Sequence, residues 1–143
     1  SRGPSRDMYS AAVYGDVVRE VCDELMIRVH DALAAGVRAD QLILDPGLGF
    51  AKTSDQNWTL LAHLDEIRSL GLPFLVGASR KGFLTTAMLD GDSRSPDDRD
   101  AATVAATVLA DRAGAWGVRV HDVRASADAV RVVDRLRSRP AGD

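Results

Sequence analysis

The chain has 143 residues, 45% of them hydrophobic and 5% aromatic, which is enough for one domain with a buried core. Its 18 basic and 21 acidic residues give a net charge of −3, and this balance argues against a nucleic-acid-binding protein. A single cysteine rules out an internal disulfide framework, and no apolar run has the length of a membrane span or the pattern of a secretory leader. We therefore expect a cytoplasmic protein that binds neither nucleic acid nor membranes. Because the chain starts at Ser1 without a methionine, we also expect it to begin inside a larger protein.

Hydrophobic periodicity predicts helices that alternate with short buried strands. The first helix is predicted over about residues 9–35, and it is followed by a strand over residues 42–44. A second helix is predicted to begin with Ser54 or Asp55 as its N-cap and to end at Gly71.

The second half of the chain repeats this alternation. We predict a strand over residues 73–77, a helical turn over 83–89, an alanine-rich helix over 98–113 and a strand over 117–120. The last helix is predicted to have Ser126 as its N-cap. Strands separated by helices must be parallel, so the fold class is α/β. The pattern alone is compatible with a small open sheet or with part of a larger (β/α)₈ barrel.

Three polar motifs follow the three predicted strands. They are Asp45-Pro-Gly-Leu-Gly-Phe50, Ser79-Arg-Lys81 and Arg119-Val-His-Asp122. The carboxyl ends of parallel strands meet at one edge of the sheet, so these motifs offer an acid, several cations and an imidazole to one site. Such a site suits a polar heterocycle that carries an anionic group.

The first motif allows more than one interpretation. Asp45 either accepts two hydrogen bonds from an amidine-like ligand edge or caps the backbone of its own turn. Phe50 either stacks on a ligand ring or packs within the loop, and we expect Lys52 to be exposed to solvent. In the second motif we expect Lys81 rather than Arg80 to face the site.

Arg119 lies between two valines, inside the third predicted strand. An unpaired guanidinium is costly to bury, so Arg119 needs either an acidic partner or an anionic ligand. Asp100 and the region around Asp122 are candidate structural partners. His121 lies two residues further on and therefore points the same way as Arg119.

Together, the three motifs resemble those of the dihydropteroate synthases, a folate-pathway family that is targeted by sulfonamides. The resemblance extends from about residue 17 to residue 136, with the motifs in the same order and at suitable spacing. It implies that residues 1–143 are a single partial domain, the C-terminal part of a TIM (β/α)₈ barrel with about strands six to eight and their helices.

The resemblance also implies roles for the motif residues. Asp45 would bind the amino-pyrimidine edge of the pterin, and Phe50 would line the pterin and aminobenzoate region. Lys81 would contact both substrates, while Arg119 and His121 would hold the leaving diphosphate; these three are the candidate catalytic residues. The candidate substrate-binding residues are Asp45, Phe50, Ser79, Lys81, Arg119 and His121.

The family's reaction condenses 6-hydroxymethyl-7,8-dihydropterin diphosphate with p-aminobenzoate to give 7,8-dihydropteroate and diphosphate, usually with Mg²⁺. We expect the Mg²⁺ ligands in an N-terminal half that this sequence does not contain, and we assign no metal ligand here. A homodimer formed through the alanine-rich helix is expected. Because its sheet would have unpaired edges, we expect the isolated chain to self-associate and to be inactive.

Two alternatives are a pterin-binding methyltransferase-type barrel and a non-catalytic relative. A methyltransferase would lack an anion site for diphosphate, so the presence of Arg119 and His121 after Lys81 argues against it. A non-catalytic relative would have lost its charged loop positions, whereas Asp45 and Lys81 are both present.

Overall fold

The computed structural model describes residues 14–90 and 94–138. In this part of the chain the helices and strands are α1 (Val17–Ala34), α2 (Ser54–Ala62), α3 (Leu64–Ser69), β1 (Leu75–Val76), α4 (Asp100–Arg112), β2 (Gly117–Val118) and α5 (Val123–Arg137). Short 3₁₀ helices cover Ala39–Gln41, Gly82–Ala87 and Asp97–Arg99. The α/β class is confirmed, although helices greatly outweigh strands.

The sheet is parallel, as predicted, but its strands are short. β1 pairs with β2, with Leu75 opposite Gly117. The predicted strand at residues 42–44 is reduced to a single parallel bridge between Leu44 and Phe74, whose backbone hydrogen bonds measure 2.8 and 2.7 Å. Three chain segments therefore run side by side, with β1 in the middle, and their carboxyl ends lie at one edge.

The first helix ends before Gly36, as predicted, and Gly36 has a positive φ of 91°. α1 begins at Val17, where the carboxylate of Asp16 accepts a hydrogen bond from the backbone N–H of Arg19 at 3.1 Å. Residues 9–13 of the predicted helix lie outside the described residues.

The predicted second helix is two helices, and its predicted caps are wrong. Thr53, rather than Ser54 or Asp55, is the N-cap of α2. Its hydroxyl accepts from the N–H of Gln56 at 3.3 Å, and the Gln56 side chain accepts from the N–H of Thr53 at 2.9 Å. This reciprocal pair satisfies two backbone donors at the helix start, which a cap further along the chain would leave unpaired. The helix is then interrupted at His63 before α3 begins.

The predicted cap of the last helix is also wrong. Asp122 is the N-cap of α5, and its carboxylate accepts from the N–H of Ala125 at 3.1 Å. Ser126 lies within the helix at 3% exposure. The aspartate lies directly after the strand, so it reaches the first free N–H groups before Ser126 can.

The hydrophobic core packs against the strands and against the loops that follow them. The largest fully buried side chains are Phe74, Leu48, Leu60, Leu64, Ile67, Leu84 and Val76. They come from β1 and the residue before it, from α2 and α3, from the loop after Leu44 and from the 3₁₀ helix after Lys81, so the loops that carry the motifs are themselves part of the core. Within residues 14–90 and 94–138, every helix is too short or too polar to serve as a membrane span.

Candidate active site at the carboxyl ends of the strands

Two of the predicted motifs meet in one cavity. It has a volume of about 220 Å³ and lies at the carboxyl ends of β1 and β2. Its lining residues are Gly77, Ser79, Lys81, Arg119, Val120 and His121. Four of the six predicted site residues are therefore brought together, and we call this space the strand-end cavity.

Ser79 and His121 connect the two strands across the cavity. The Ser79 hydroxyl oxygen accepts a hydrogen bond from the backbone N–H of His121 at 3.1 Å. The same oxygen lies 2.8 Å from Nδ1 of the His121 ring. Ser79 is buried, whereas His121 is exposed, so the buried hydroxyl fixes the position of an imidazole that remains accessible to a ligand.

Lys81 is held against the first motif. Its ammonium group donates to the carbonyl oxygen of Leu48 and lies 4.1 Å from the centre of the Phe50 ring, within cation–π distance. Burial lowers the pKa of Lys81 to about 8, and the nearby charges of Arg119 and Lys52 act in the same direction, against the opposing effect of Asp45. Lys81 thus lines the cavity and loses its proton at a lower pH than an ordinary lysine does.

Arg80 faces away from the strand-end cavity. Its guanidinium forms two hydrogen bonds with the Asp100 carboxylate, at 2.8 and 2.9 Å, and also pairs with Asp97. The structure therefore places Lys81 on the inner side and Arg80 on the outer side of this loop.

Arg119 is exposed, which corrects the expectation of a buried guanidinium. β2 ends at Val118. The backbone N–H of Arg119 still donates to the carbonyl oxygen of Val76 at 3.0 Å, but the side chain of Arg119 lies past the end of the strand. The predicted partner Asp100 is paired with Arg80 instead, and no ion pair to Arg119 occurs within the described residues. Its guanidinium passes over Gly77, where a Cβ atom would lie 3.5 Å from Nη2.

Asp45 shows the turn-capping arrangement. Its Oδ1 atom accepts from the backbone N–H of Gly47 at 2.8 Å, while within the described residues no donor reaches Oδ2. The side chain lines a neighbouring cavity of about 390 Å³ rather than the strand-end cavity. Since a carboxylate has several acceptor positions, capping the turn leaves room for a ligand hydrogen bond.

The loop between Asp45 and Thr53 is fixed by two side chains whose role the sequence reasoning missed. Asn57 is 2% exposed; its amide oxygen accepts from the N–H of Gly49 at 2.6 Å, and its amide nitrogen donates to Thr53 at 2.8 Å. Lys52 is only partly exposed, because its ammonium group donates to the carbonyls of Gly47 and Phe50 at 3.1 and 3.2 Å. Lys52, which was expected to be exposed to solvent, is therefore exposed only in part. A polar amide within the apolar stripe of α2 was the available signal for Asn57.

A sequence comparison identifies the family of this chain. The sequence model of the pterin binding enzymes matches residues 1–121. The chain belongs to the pterin binding enzyme family.

Similar members of this family are dihydropteroate synthases, as the motifs predicted. The chain is 54% identical over 127 residues to the dihydropteroate synthase of Mycobacterium leprae, a match that covers 87% of this chain and 45% of that protein. The crystal structure of the enzyme from Stenotrophomonas maltophilia superposes with a TM-score of 0.91 at 39% identity, covering 98% of this chain and 52% of the other. The Thermus thermophilus enzyme in complex with 6HMPPP gives 0.86 at 41% identity, covering 94% and 52%. The chain thus spans about half the length of the relatives that it matches.

Proposed function

We propose that this chain is the C-terminal part of a dihydropteroate synthase. The whole protein would condense 6-hydroxymethyl-7,8-dihydropterin diphosphate with p-aminobenzoate, giving 7,8-dihydropteroate and diphosphate in the synthesis of tetrahydrofolate. The observation that carries this proposal is the strand-end cavity, where Lys81, Arg119 and His121 lie together on a chain of this family. Relatives of known structure support it, since they are described in complex with 7,8-dihydropteroate, 4-aminobenzoate or 6HMPPP.

The proposed architecture is a (β/α)₈ barrel to which this chain contributes strands six to eight. Its support is the parallel arrangement of three segments separated by helices. Within the described residues β2 pairs only with β1, so its other side is open to a further strand. We expect the isolated chain, with such an edge, to be inactive.

Pterin recognition is assigned to the first motif. The open Oδ2 atom of Asp45 is suited to accept from the amino-pyrimidine edge of a pterin. Phe50 is 37% exposed and contacts Lys81, so its ring can line the space between the two substrates. Asn57 and Lys52 keep this loop in shape before the ligand arrives.

The second and third motifs are assigned to the reacting groups. During the reaction the bond between the pterin methylene carbon and the diphosphate oxygen breaks, a carbon–nitrogen bond to the aminobenzoate amine forms, and the amine proton leaves to solvent. Arg119 and Lys81 stabilise the negative charge that develops on the diphosphate, and Arg119 can do so with two parallel hydrogen bonds. Ser79 holds the His121 imidazole beside the same anion. The cavity thus orients two substrates and receives the departing charge.

Mg²⁺ is part of the proposal only for the whole protein. The described residues contain no group of three or more His, Cys, Asp or Glu side chains that could hold a metal ion. We propose that the Mg²⁺ ligands lie in the part of the protein that this chain does not include, and no step above depends on the ion.

We also propose a homodimer and a cytoplasmic location. Leu109 on α4 is exposed, and Val132 and Leu136 on α5 are exposed and line a cavity together with Val108 of α4, so both helices offer apolar surface to a second subunit. The location is proposed because the sequence has a single cysteine, Cys22, and therefore no internal disulfide framework. A methyltransferase-type or non-catalytic role is not favoured, because the relatives found are synthases.

Substitution of Arg119 in the full-length protein tests the function directly. With both substrates and Mg²⁺, the unsubstituted protein should release diphosphate, and omission of either substrate should stop the release. Arg119→Lys keeps the charge but loses the bidentate geometry, so the KM for the pterin diphosphate should rise about tenfold while the KM for aminobenzoate changes much less. Arg19→Lys is the matched control, because Arg19 is exposed on α1 and is not among the residues that line the strand-end cavity. Absence of diphosphate release would refute the proposed activity, and equal changes in the two KM values would refute the role of Arg119.

A further inference from the structure

Arg80 has an unusual backbone conformation at the centre of the second motif. Its φ angle is 58°, in the left-handed region that residues with a side chain rarely adopt. The residue before it bonds to His121, and the residue after it contacts Phe50. A left-handed residue at this point turns the chain between two side chains that both line the strand-end cavity.

The side chain of Arg80 is anchored to the beginning of α4. Nε and Nη2 donate to the two oxygens of Asp100 at 2.8 and 2.9 Å, and Nη1 pairs with Asp97. The pair is partly buried, with side-chain exposures of 24% for Arg80 and 31% for Asp100. The hydrogen bonds from Arg80 hold the pKa of Asp100 below its usual value, so this carboxylate stays charged over the neutral range.

The backbone of Arg80 is anchored to the same element. Its N–H donates to the hydroxyl of Thr103 at 3.0 Å, and its carbonyl accepts from Nη1 of Arg99 at 2.9 Å. Thr103 is buried, and its hydroxyl donates a hydrogen bond to the carbonyl oxygen of Arg99 at 3.0 Å. The strained residue is therefore held through its side chain, its N–H and its carbonyl by residues 97–103.

We propose that Arg80 is a positioning residue, which acts through its ion pair with Asp100 to hold Lys81 and Ser79 toward the strand-end cavity. This inference rests on the proposed function, which gives Lys81 its role in the strand-end cavity. It adds that the residues at the start of α4 determine where Lys81 lies. Without the anchor, residue 80 relaxes to an ordinary negative φ, which rotates the peptide planes on both sides. Lys81 then leaves Phe50 and Leu48, and Ser79 loses its contact with His121.

Three substitutions in the full-length protein separate the anchor from the backbone strain. Arg80→Ala removes the ion pair and still strains the backbone. Arg80→Gly removes the ion pair but tolerates a positive φ without strain. Asp100→Asn keeps the shape of the partner and removes its charge. Asp128→Asn is the matched control, because Asp128 pairs with Arg131 on the exposed face of α5.

The readout is the pH at which Lys81 is half reactive toward an amine-selective acylating reagent, measured on its peptide by mass spectrometry without substrates. The charged groups that face Lys81 are Asp45, Arg119 and Lys52, and none of them is altered by these substitutions. The half-reactive pH should lie near 8 in the unsubstituted protein and rise by about one unit or more in Arg80→Ala and Asp100→Asn, as Lys81 moves into solvent. In parallel, kcat should fall at least about tenfold in Arg80→Ala and less in Arg80→Gly, with the control unchanged.

A Lys81 titration that stays the same in Arg80→Ala and Asp100→Asn would overturn this inference, whatever happens to activity. If Arg80→Ala does not fold, Asp100→Asn carries the comparison, and Arg80→Gly, which tolerates the positive φ, should shift the Lys81 titration less than Asp100→Asn does. The titration of Lys81 does not require turnover. A protein without synthase activity would therefore refute the proposed function, while the titration would still test the position of Lys81.

Discussion

Lys81 is the residue at which the requirements of folding and of function are opposed. Burial lowers its pKa from 10.5 to about 8, so the folded protein binds the proton less tightly than the unfolded chain does. Below pH 8 the lysine is charged in both states and its full penalty on stability is present. Between pH 8 and 10.5 the unfolded chain binds more protons, so the penalty disappears as the pH rises through this window.

Removal of this amine should therefore stabilise the protein while it damages the site. In the full-length protein, Lys81→Met keeps the length of the side chain, and we expect the free energy of unfolding at pH 7 to rise by about 1 kcal/mol, a value discounted for solvent screening. Urea unfolding at pH 7 and at pH 10 measures this gain, which should be smaller at the higher pH. Arg131→Met, at an exposed position, should show no such pH-dependent gain. A Lys81→Met variant that is less stable than the unsubstituted protein at pH 7 would contradict the claim that burial of the charged lysine destabilises the fold.

At the residue scale, the sequence predicted which side chains meet but not how each is held. The motifs indicated Lys81 as the inner cation, and it lines the strand-end cavity. Arg119 was expected to be buried because it lies between two valines, yet the sheet ends just before it and leaves its side chain exposed. Asn57 was missed because its role depends on a loop eight residues away, which local periodicity does not report.

The first motif acts as a structural element of its own. Gly49 has a φ of 77°, and its N–H is bonded to the buried Asn57. The side chain of Lys81 lies directly over Gly49, so an added Cβ atom would overlap Cδ of Lys81 and lie 3.2 Å from its Cε. The absence of a side chain at this position is what lets the second motif pack on the first.

A methyl group at Gly49 should displace Lys81. Gly49→Ala in the full-length protein is expected to lower the free energy of unfolding by about 1 kcal/mol through its positive φ, and kcat by about tenfold or more through the misplaced lysine. Gly71→Ala is the matched control, since Gly71 has a similar φ of 80° and open space around the added atom. Thermal unfolding and steady-state kinetics of both variants make the comparison. Equal kcat values for the two variants would show that the contact with Lys81 is unimportant.

At the element scale, helix existence was more predictable than helix boundaries. Thr53, Ser54 and Asp55 all carry side chains that can cap a helix, and the choice between them depends on the loop geometry that Lys52 and Asn57 impose. The strand at residues 42–44 was predicted from its apolar character, but the length of a strand depends on its partners, and Leu44 alone forms a bridge. The local sequence specifies neither the loop geometry that selects the cap nor the partner strand that sets the strand length.

At the scale of the whole molecule, the candidate active site lies at the open edge of the described sheet. The strand-end cavity is open beside β2, which within the described residues has a partner on one side only. The relatives are about twice as long as this chain, and the proposed barrel would continue the sheet at that side. Activity is therefore proposed for the whole protein, and the pterin, lysine and anion contacts are the part of the site that we propose for this chain.

The central claim is that these strand ends bind a pterin diphosphate, and isothermal titration of that ligand tests it most directly. The ligand should be titrated, with Mg²⁺, into the full-length protein and into its Asp45→Asn variant. We expect a single site per subunit, and a loss of about 2 kcal/mol in the variant because one acceptor becomes a donor. Circular dichroism of the variant checks that its fold is intact. Absence of binding to the full-length protein, or an affinity that Asp45→Asn leaves unchanged, would contradict the account.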